Sequence, residues 1–501
     1  MSELLLLAPM GIEARVLRAG APHVNVVATG VGARRARRAA AMLACAAADG
    51  VAVAGFAGAL SDRFAPGDLV VASELLTRDG NVVAECPGAS VIAGMLRRHG
   101  VPAHVGPIVS VARPVAGGRR AALARGGALV SDMESAWLAP AAAGRPFAVL
   151  RAVLDTPSHE LWNPLALARS VAPAWRGLRT AASVLAEWAP TIAPRELVRA
   201  APRASCAGVE RAIEVVERVL DRYGAPVYMR KQIVHNRHVV EELERRGAIC
   251  VEDLDEVPDG ATVIFSAHGV SPQIREEADR RRLNVIDATC PLVSKVHGEA
   301  RRFADAGYTI VLIGHEGHDE VQGTIGEVPD RISVIASSEQ VDRLTVPDPS
   351  RLAYLTQTTL AVDETRDIVG RLRERFPEVV GPRSDDICYA TQNRQDAVKL
   401  LATSCDLMLI VGSRNSSNSN RLVEVAELQG CPARLLDDET QIDPSWLAGV
   451  HRVGVSAGAS TPERIVKRIE RALTVLGPIE ARTQAVANET VRFALPREVR
   501  D

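Results

Sequence analysis

The sequence has no excess of charge of either sign. Its 59 lysines and arginines face 61 aspartates and glutamates, a formal net charge of -2, so no global basic field draws the chain to nucleic acid or to an anionic membrane. Any anion it binds must be gripped locally. Nor is there an uninterrupted apolar run of about eighteen residues, the length that would cross a bilayer. The opening MSELLLLAPMGIEARV has a short apolar run, no basic segment ahead of it and Glu13 and Arg15 directly behind it, unlike a secretion signal. The eight cysteines include no CxxC pair. In a long chain without a secretion signal, such scattered cysteines exclude a disulfide framework. A cytoplasmic protein with no membrane span and no nucleic-acid partner is expected.

What is present divides into two textures. At 501 residues the chain exceeds a single core, with about 150 residues per domain as the guide. Residues 1–185 are rich in Ala, Gly, Val and Arg; VNVVATG, VAVAGFAG, DLVVASEL and PFAVLRAVLD read as buried strands, and ARRARRAAAMLACAAA as a helix. Residues 186–202 carry repeated prolines without periodicity and read as a linker. From 203 to 478 a second series repeats strand, polar loop and helix: TVIFSAHGV, NVIDATC, TIVLIGHEGH, LAYLTQTTL, LMLIVGSRNSSNSN and RVGVSAGAST. Residues 479–501 form a tail with no readable motif. In open parallel sheets the loops at the carboxyl ends of strands form the ligand crevice, so polar residues in those loops carry functional weight.

Three cysteines share one such context. Cys206 opens CAGVERAIEVVERVL, Cys290 stands between a strand-like run and Pro291, and Cys388 precedes the helical ATQNRQDAVKLLA. A helix N-terminus favours the thiolate, the metal-binding form, and is expected to lower the thiol pKa. Cys250, Cys405 and Cys431 lack this arrangement and read as small core residues. Three thiolates could hold zinc, act in redox chemistry, or hold an iron-sulfur cluster with one iron left open. Spacing alone does not choose among these.

The neighbouring loops are rich in other polar groups. His235, His268, His315 and His318 all fall at strand ends; Ser416, Ser417 and Asn418 precede a helix, as do Ser460 and Thr461. Helix N-termini with free N–H groups and hydroxyls suit phosphate. Glu320 and Thr358 are candidates for an acid and its relay.

In order along the chain, VHN, SAHGV, DATCPLV, GHEGHDEV, QTTL, ICYATQNRQ, GSRNSSNSNRL and SAGAST resemble the 4-hydroxy-3-methylbut-2-enyl diphosphate reductase family of the non-mevalonate isoprenoid pathway. The resemblance implies three α/β subdomains in a pseudo-threefold arrangement around one [4Fe-4S] cluster per chain. It implies Cys206, Cys290 and Cys388 as cluster ligands, and His235, His268, Ser416, Ser417, Asn418 and Ser460 around the substrate diphosphate. His318, Glu320 and Thr358 would surround the substrate hydroxyl. Two electrons would come from ferredoxin or flavodoxin, and the products would be isopentenyl and dimethylallyl diphosphate.

The N-terminal half resembles the purine nucleoside phosphorylase and nucleosidase family, through APMGIEAR, TGVGARRAR, GFAGAL, FAPGDLVV, SDMESAWLA and RAVLDT. That resemblance implies an α/β domain with a purine nucleoside ligand. Glu134 would contact ribose, Asp155 would protonate the purine, and Glu13 would activate water. Arg34, Arg35, Arg37 and Arg38 could include a phosphate ligand, and read equally as a solvated helix face. Two other readings of the whole are an open-iron hydro-lyase, which turns over without an electron donor, and an iron-sulfur sensor that binds a nucleoside.

Overall fold

A computed structural model describes residues 3–500. The chain divides into two compact units: the first runs through Leu197 and takes in 438–453 and 467–481, and the second comprises 198–437, 454–466 and 482–501.

In the first unit eight strands form one mixed sheet. Gly50–Ala59 pairs with Val130–Asp132 and Phe147–Asp155, and Leu69–Thr77 pairs with Phe147–Asp155 and Ala103–Ser110. Because Ala103–Ser110 also pairs with Val130–Asp132, these five strands close on themselves. Their inner residues, among them Val53, Val70, Ile108, Val130 and Val149, are completely or nearly completely buried. The apolar runs of the sequence thus sit in one core, as continuous burial on both strand faces requires.

Three further sheets are formed among the described residues. The first has parallel strands around Val227–Arg230 and Thr262–Phe265, ending at Asn284–Asp287. The second is parallel and centred on Thr309–Ile313. The third runs in the order Ala433–Leu436, Leu407–Val411, Arg452–Ala457, Arg195–Ala201, Ile479–Ala485. Two segments therefore differ from their reading in the sequence. Arg195–Ala201, within the proline-rich stretch, is a strand in which Leu197, Val198 and Ala200 are buried. Ile479–Ala485, at the head of the tail, is its neighbour. Neither run is periodic enough to stand out, because each pairs with residues far away in sequence.

Three helices of the second unit begin directly after a cysteine: Ala207–Tyr223, Pro291–Asp305 and Tyr389–Ala402. The first buries Ala212, Val215, Val216, Val219 and Leu220, the apolar stripe of a 3.6-residue repeat. It ends at Gly224, whose φ of 74° suits a residue without Cβ. Pro291 starts the second helix where its missing N–H costs nothing, and holds Cys290 extended. Among the described residues, no helix is long and apolar enough to cross a membrane.

Candidate active site

The three cysteines converge. Cys206, Cys290 and Cys388 are each the N-cap of their helix, each extended, and none makes a side-chain cap hydrogen bond. Their sulfur atoms are therefore left for another partner. All three line one cavity of about 100 Å³ together with His235, His268, His318, Glu320, Thr358, Ser416, Ser417, Asn418 and Ser460. Of the residues singled out for this centre in the sequence, only His315 and Thr461 are not among those lining it; the Thr461 hydroxyl donates to Val411 O at 3.0 Å. His315 is exposed, and its backbone N–H donates to Gln357 Oε1 at 3.0 Å.

The cysteine backbones tie the thiols to the polar loops. Cys206 N donates to Ala459 O at 3.1 Å, Cys290 N to Ala267 O at 3.0 Å and Cys388 N to Thr358 O at 2.9 Å. Each acceptor is next to, or is itself, a residue of the polar set. Gly208 provides room for the sulfurs: a Cβ there would lie 2.7 Å from Cys290 Sγ and 3.8 Å from Cys206 Sγ. Three soft donors around one cavity, with a glycine where a side chain would intrude, fit an iron-sulfur cluster held by three cysteines.

At Cys290 and Cys388 the expected depression of the thiol pKa is reversed. Burial pushes the Cys290 thiol up to about 11, although the N–H groups of Leu292 and Val293 act in the opposite direction. Burial and the neighbouring Cys206 push Cys388 up to about 12. Desolvation of a thiolate, together with repulsion among three clustered thiols, outweighs the helix N-terminus. Metal binding must therefore displace protons.

Beside the thiols, Glu320 is buried on the helix Asp319–Glu327. Burial pushes its carboxyl up to about 7, even though Thr358 supplies two hydrogen bonds that stabilise the charged form. Glu320 N donates to His318 Nδ1 at 3.2 Å, which leaves Nε2 as the protonated nitrogen of a neutral ring. Burial and the neighbouring His235 push His318 down to about 4. His235 and His268 stack with ring centroids 4.0 Å apart, and burial holds both below the usual histidine range.

Opposite them lies a hydroxyl and amide wall. Ser416 caps the helix Ser417–Leu428, accepting from Ser419 N, and lies 3.3 Å from Ser460, whose hydroxyl donates to His235 O at 3.1 Å. Asn418 is buried with both amide atoms unpartnered. A buried amide without partners costs free energy unless a ligand satisfies it. Donor atoms of His235, His268 and Asp319 lie within 4.8 Å of one another, but Asp319 is already paired with Lys231. Thr359, Gln357 and Thr391 went unnoticed in the sequence. Thr359 donates to Ser417 Oγ at 3.1 Å, Gln357 Nε2 to the same atom at 3.4 Å, and Thr391 lines the cavity. The QTTL run that supplied Thr358 held the first two.

The first unit has its own cavity, of about 250 Å³, lined by Glu13, Glu134, Asp155, Arg120, Met133 and mostly apolar neighbours. Glu13 accepts from Met10 N and Phe56 N, both at 2.7 Å, and burial pushes its carboxyl up to about 7. Glu134 accepts from Gly32 N at 2.8 Å. Asp155 is ion-paired with buried Arg120; burial holds its carboxyl above the usual range, with Arg120 opposing. Gly55 and Gly58 make room for these groups, since a Cβ would lie 2.5 Å from Glu13 Oε1 at the first and 2.8 Å from Asp155 Oδ1 at the second. Arg34, Arg35, Arg37 and Arg38 are exposed on the helix Ala33–Leu43 and do not line this cavity.

Both halves of the chain are similar to known proteins. Residues 8–174 match the Phosphorylase superfamily, and residues 197–474 match the family described as LytB protein. A 4-hydroxy-3-methylbut-2-enyl diphosphate reductase of Azoarcus sp. (strain BH72) is 56% identical over 306 residues, which cover 61% of this chain and 98% of the relative. The enzyme of the same name from Nocardia farcinica is 55% identical over 307 residues, covering 61% of this chain and 91% of the relative. The solved E-1-hydroxy-2-methyl-but-2-enyl-4-diphosphate reductase of Plasmodium falciparum is 40% identical with a TM-score of 0.59, covering 61% of this chain and 97% of that one. With a match across more than half its length and nearly the full length of these relatives, the chain belongs to the LytB protein family.

Proposed function

We propose that the second unit reduces 4-hydroxy-3-methylbut-2-enyl diphosphate to isopentenyl and dimethylallyl diphosphate. The observation that carries this reading is the convergence of three cysteines, a buried carboxyl and a set of imidazole, hydroxyl and amide groups on one cavity. Cys206, Cys290 and Cys388 would hold one [4Fe-4S] cluster, which when bound supplies electrons and an open iron as Lewis acid for the allylic oxygen. The electrons come from an external carrier of the ferredoxin or flavodoxin class.

The chain's own residues do the rest. Neutral His235 and His268, the hydroxyls of Ser416, Ser417 and Ser460, and the Asn418 amide bind the diphosphate, aided by the N-terminus of the helix Ser417–Leu428. His318 presents its Nε2–H to the cavity. Glu320, whose carboxyl burial pushes up to about 7, gives its proton to the Thr358 hydroxyl, which passes its own to the departing oxygen. The carbon–oxygen bond breaks and the oxygen leaves as water. Two electrons and a second proton, delivered to carbon, complete the balance. Apolar Val209, Val234, Leu292 and Val293 line the same space and exclude bulk water from it. Anaerobic turnover with a strong reductant, comparing the parent with Cys290→Ser and Glu320→Gln, tests the assignment. Failure of a cluster-loaded parent to form either product would overturn it in favour of the sensor or hydro-lyase reading.

For the first unit, the convergence of Glu13, Glu134 and Asp155 on one cavity favours a second activity, cleavage of a purine nucleoside. Asp155 would act on the base, Glu134 on the ribose and Glu13 on water. Purine release from adenosine and inosine, with and without phosphate, compared with Asp155→Asn, tests it. No release under any of these conditions leaves nucleoside binding without cleavage.

A further inference from the structure

The three helices that carry the cysteines also carry three cations, and these form a closed cycle. Arg211, on the Cys206 helix, donates through Nη1 to Ala288 O and Thr289 O, both at 3.1 Å, the two carbonyls just ahead of Cys290. Lys295, on the Cys290 helix, donates to Ser384 O at 2.6 Å and Asp385 O at 2.8 Å, ahead of Cys388, and pairs with Asp386 at 3.1 Å. Arg394, on the Cys388 helix, donates to Ala204 O at 3.0 and 2.7 Å, just ahead of Cys206. Each cysteine's helix thus grips the backbone leading to the next cysteine, and the third grips the first.

The C-terminal segment fastens two of the three. Glu489 accepts from Arg394 at 3.0 Å and from Asn393 at 3.0 Å, and Ala494 O accepts from Arg211 Nε at 2.8 Å. Beyond it Val499 is buried in the core cluster that includes Val216, Val219 and Leu220 of the Cys206 helix, and Arg222 donates to Glu498 O at 2.9 Å. Arg394 is only 1% exposed, so its charge needs the Glu489 carboxylate as partner. At Ala204 the chain takes a φ of 62°, a conformation unfavourable for alanine; the two Arg394 hydrogen bonds to its carbonyl hold it there.

We infer that Arg211, Lys295 and Arg394 are positioning residues that set the spacing of the three thiols, and that residues 486–500 are a strap that locks this ring. None of them lines the cavity, so they act through the cysteines. The inference rests on the reading of the thiols as a metal centre, but the ring itself concerns only their mutual geometry.

The test uses the full chain with Lys295→Met, Lys295→Arg and Glu489→Gln, each checked by far-UV circular dichroism. Two readouts are taken: the rate at which a chelator bleaches the cluster, and the affinity of the cluster-free protein for arsenite, which binds three thiols at once. Lys295→Met and Glu489→Gln are expected to speed bleaching and weaken arsenite binding at least tenfold, with Lys295→Arg restoring most of both. Should Lys295→Met fail to fold, Glu489→Gln decides alone. Arsenite affinity and bleaching within twofold of the parent in folded variants would overturn the ring. A parent that binds arsenite in a Glu489-dependent way but accepts no cluster would leave the ring standing and overturn the iron-sulfur reading instead.

Discussion

Thr358 contacts both carboxyl oxygens of Glu320: its N–H donates to Oε1 at 2.7 Å, and its hydroxyl lies 3.0 Å from Oε2. The hydrogen between the two side-chain oxygens belongs to either. When Glu320 carries the proton it becomes the donor, and the Thr358 hydroxyl hydrogen turns toward the cavity. The hydrogen-bonded geometry that the proposed relay needs is therefore already in place.

Removing the acid breaks the relay while sparing the thiols. Glu320→Gln is expected to lower kcat by about 10²- to 10⁴-fold, the usual worth of general acid catalysis, with cluster absorbance unchanged. Thr358→Val should fall in the same range and Thr358→Ser should recover. Steady-state kinetics under anaerobic conditions checks all three.

The pH profile follows from the same group. Glu320 must be protonated to act, and burial pushes its carboxyl up to about 7, so kcat should hold on the acid side of that value and fall above it. A logarithmic plot with a slope of about -1 above neutrality is the expected form for loss of one proton. Glu320→Gln should abolish this limb, which measurement of kcat across the range would reveal.

Asn418 is buried with both its amide atoms unpartnered. Replacing it with Ala removes hydrogen bonds to a charged group, each worth about 1.5–3 kcal/mol, and KM for the diphosphate substrate should rise about 10- to 100-fold. Inorganic pyrophosphate should lose inhibitory strength by a similar factor.

Gly208 cannot carry a side chain without disturbing Cys290, since a Cβ would sit 2.7 Å from its sulfur. Gly208→Ala should fold but retain much less cluster after anaerobic reconstitution, measured as iron and acid-labile sulfide per chain.

In the first unit, Glu13 makes stability depend on pH. Its buried carboxyl is pushed from an ordinary 4.5 up to about 7, so between these values the folded state holds a proton that the unfolded state has lost. Stability should therefore decline as pH rises through this window, by about 3 kcal/mol at 1.36 kcal/mol per unit. Urea unfolding at pH 5 and pH 7.5 should show the decline in the parent and a smaller one in Glu13→Gln.

The strands and cysteine helices were legible because each signal is local. Continuous apolar runs such as Leu407–Val411 are buried throughout, and Pro291 after Cys290 marks a helix start from sequence alone. The strand Arg195–Ala201 and the tail were not legible. Their partners are distant, as Arg394 is for Glu489 in the tail, 95 residues away by numbering, and no nearby pattern records such a pair. The thiol pKa shifts were misjudged for a related reason: a helix N-terminus is visible in sequence, whereas burial is not.

The sequence by itself determined the two halves, the three cysteine-capped helices and the polar residue types at the strand ends, because periodicity, capping and loop chemistry act between near neighbours. Only the tertiary structure decided that these groups line one cavity, that burial pushes the Glu320 carboxyl up, and that Arg211, Lys295 and Arg394 close a ring of hydrogen bonds among the three cysteine helices. Desolvation and long-range hydrogen bonds depend on what the folded chain packs around a group.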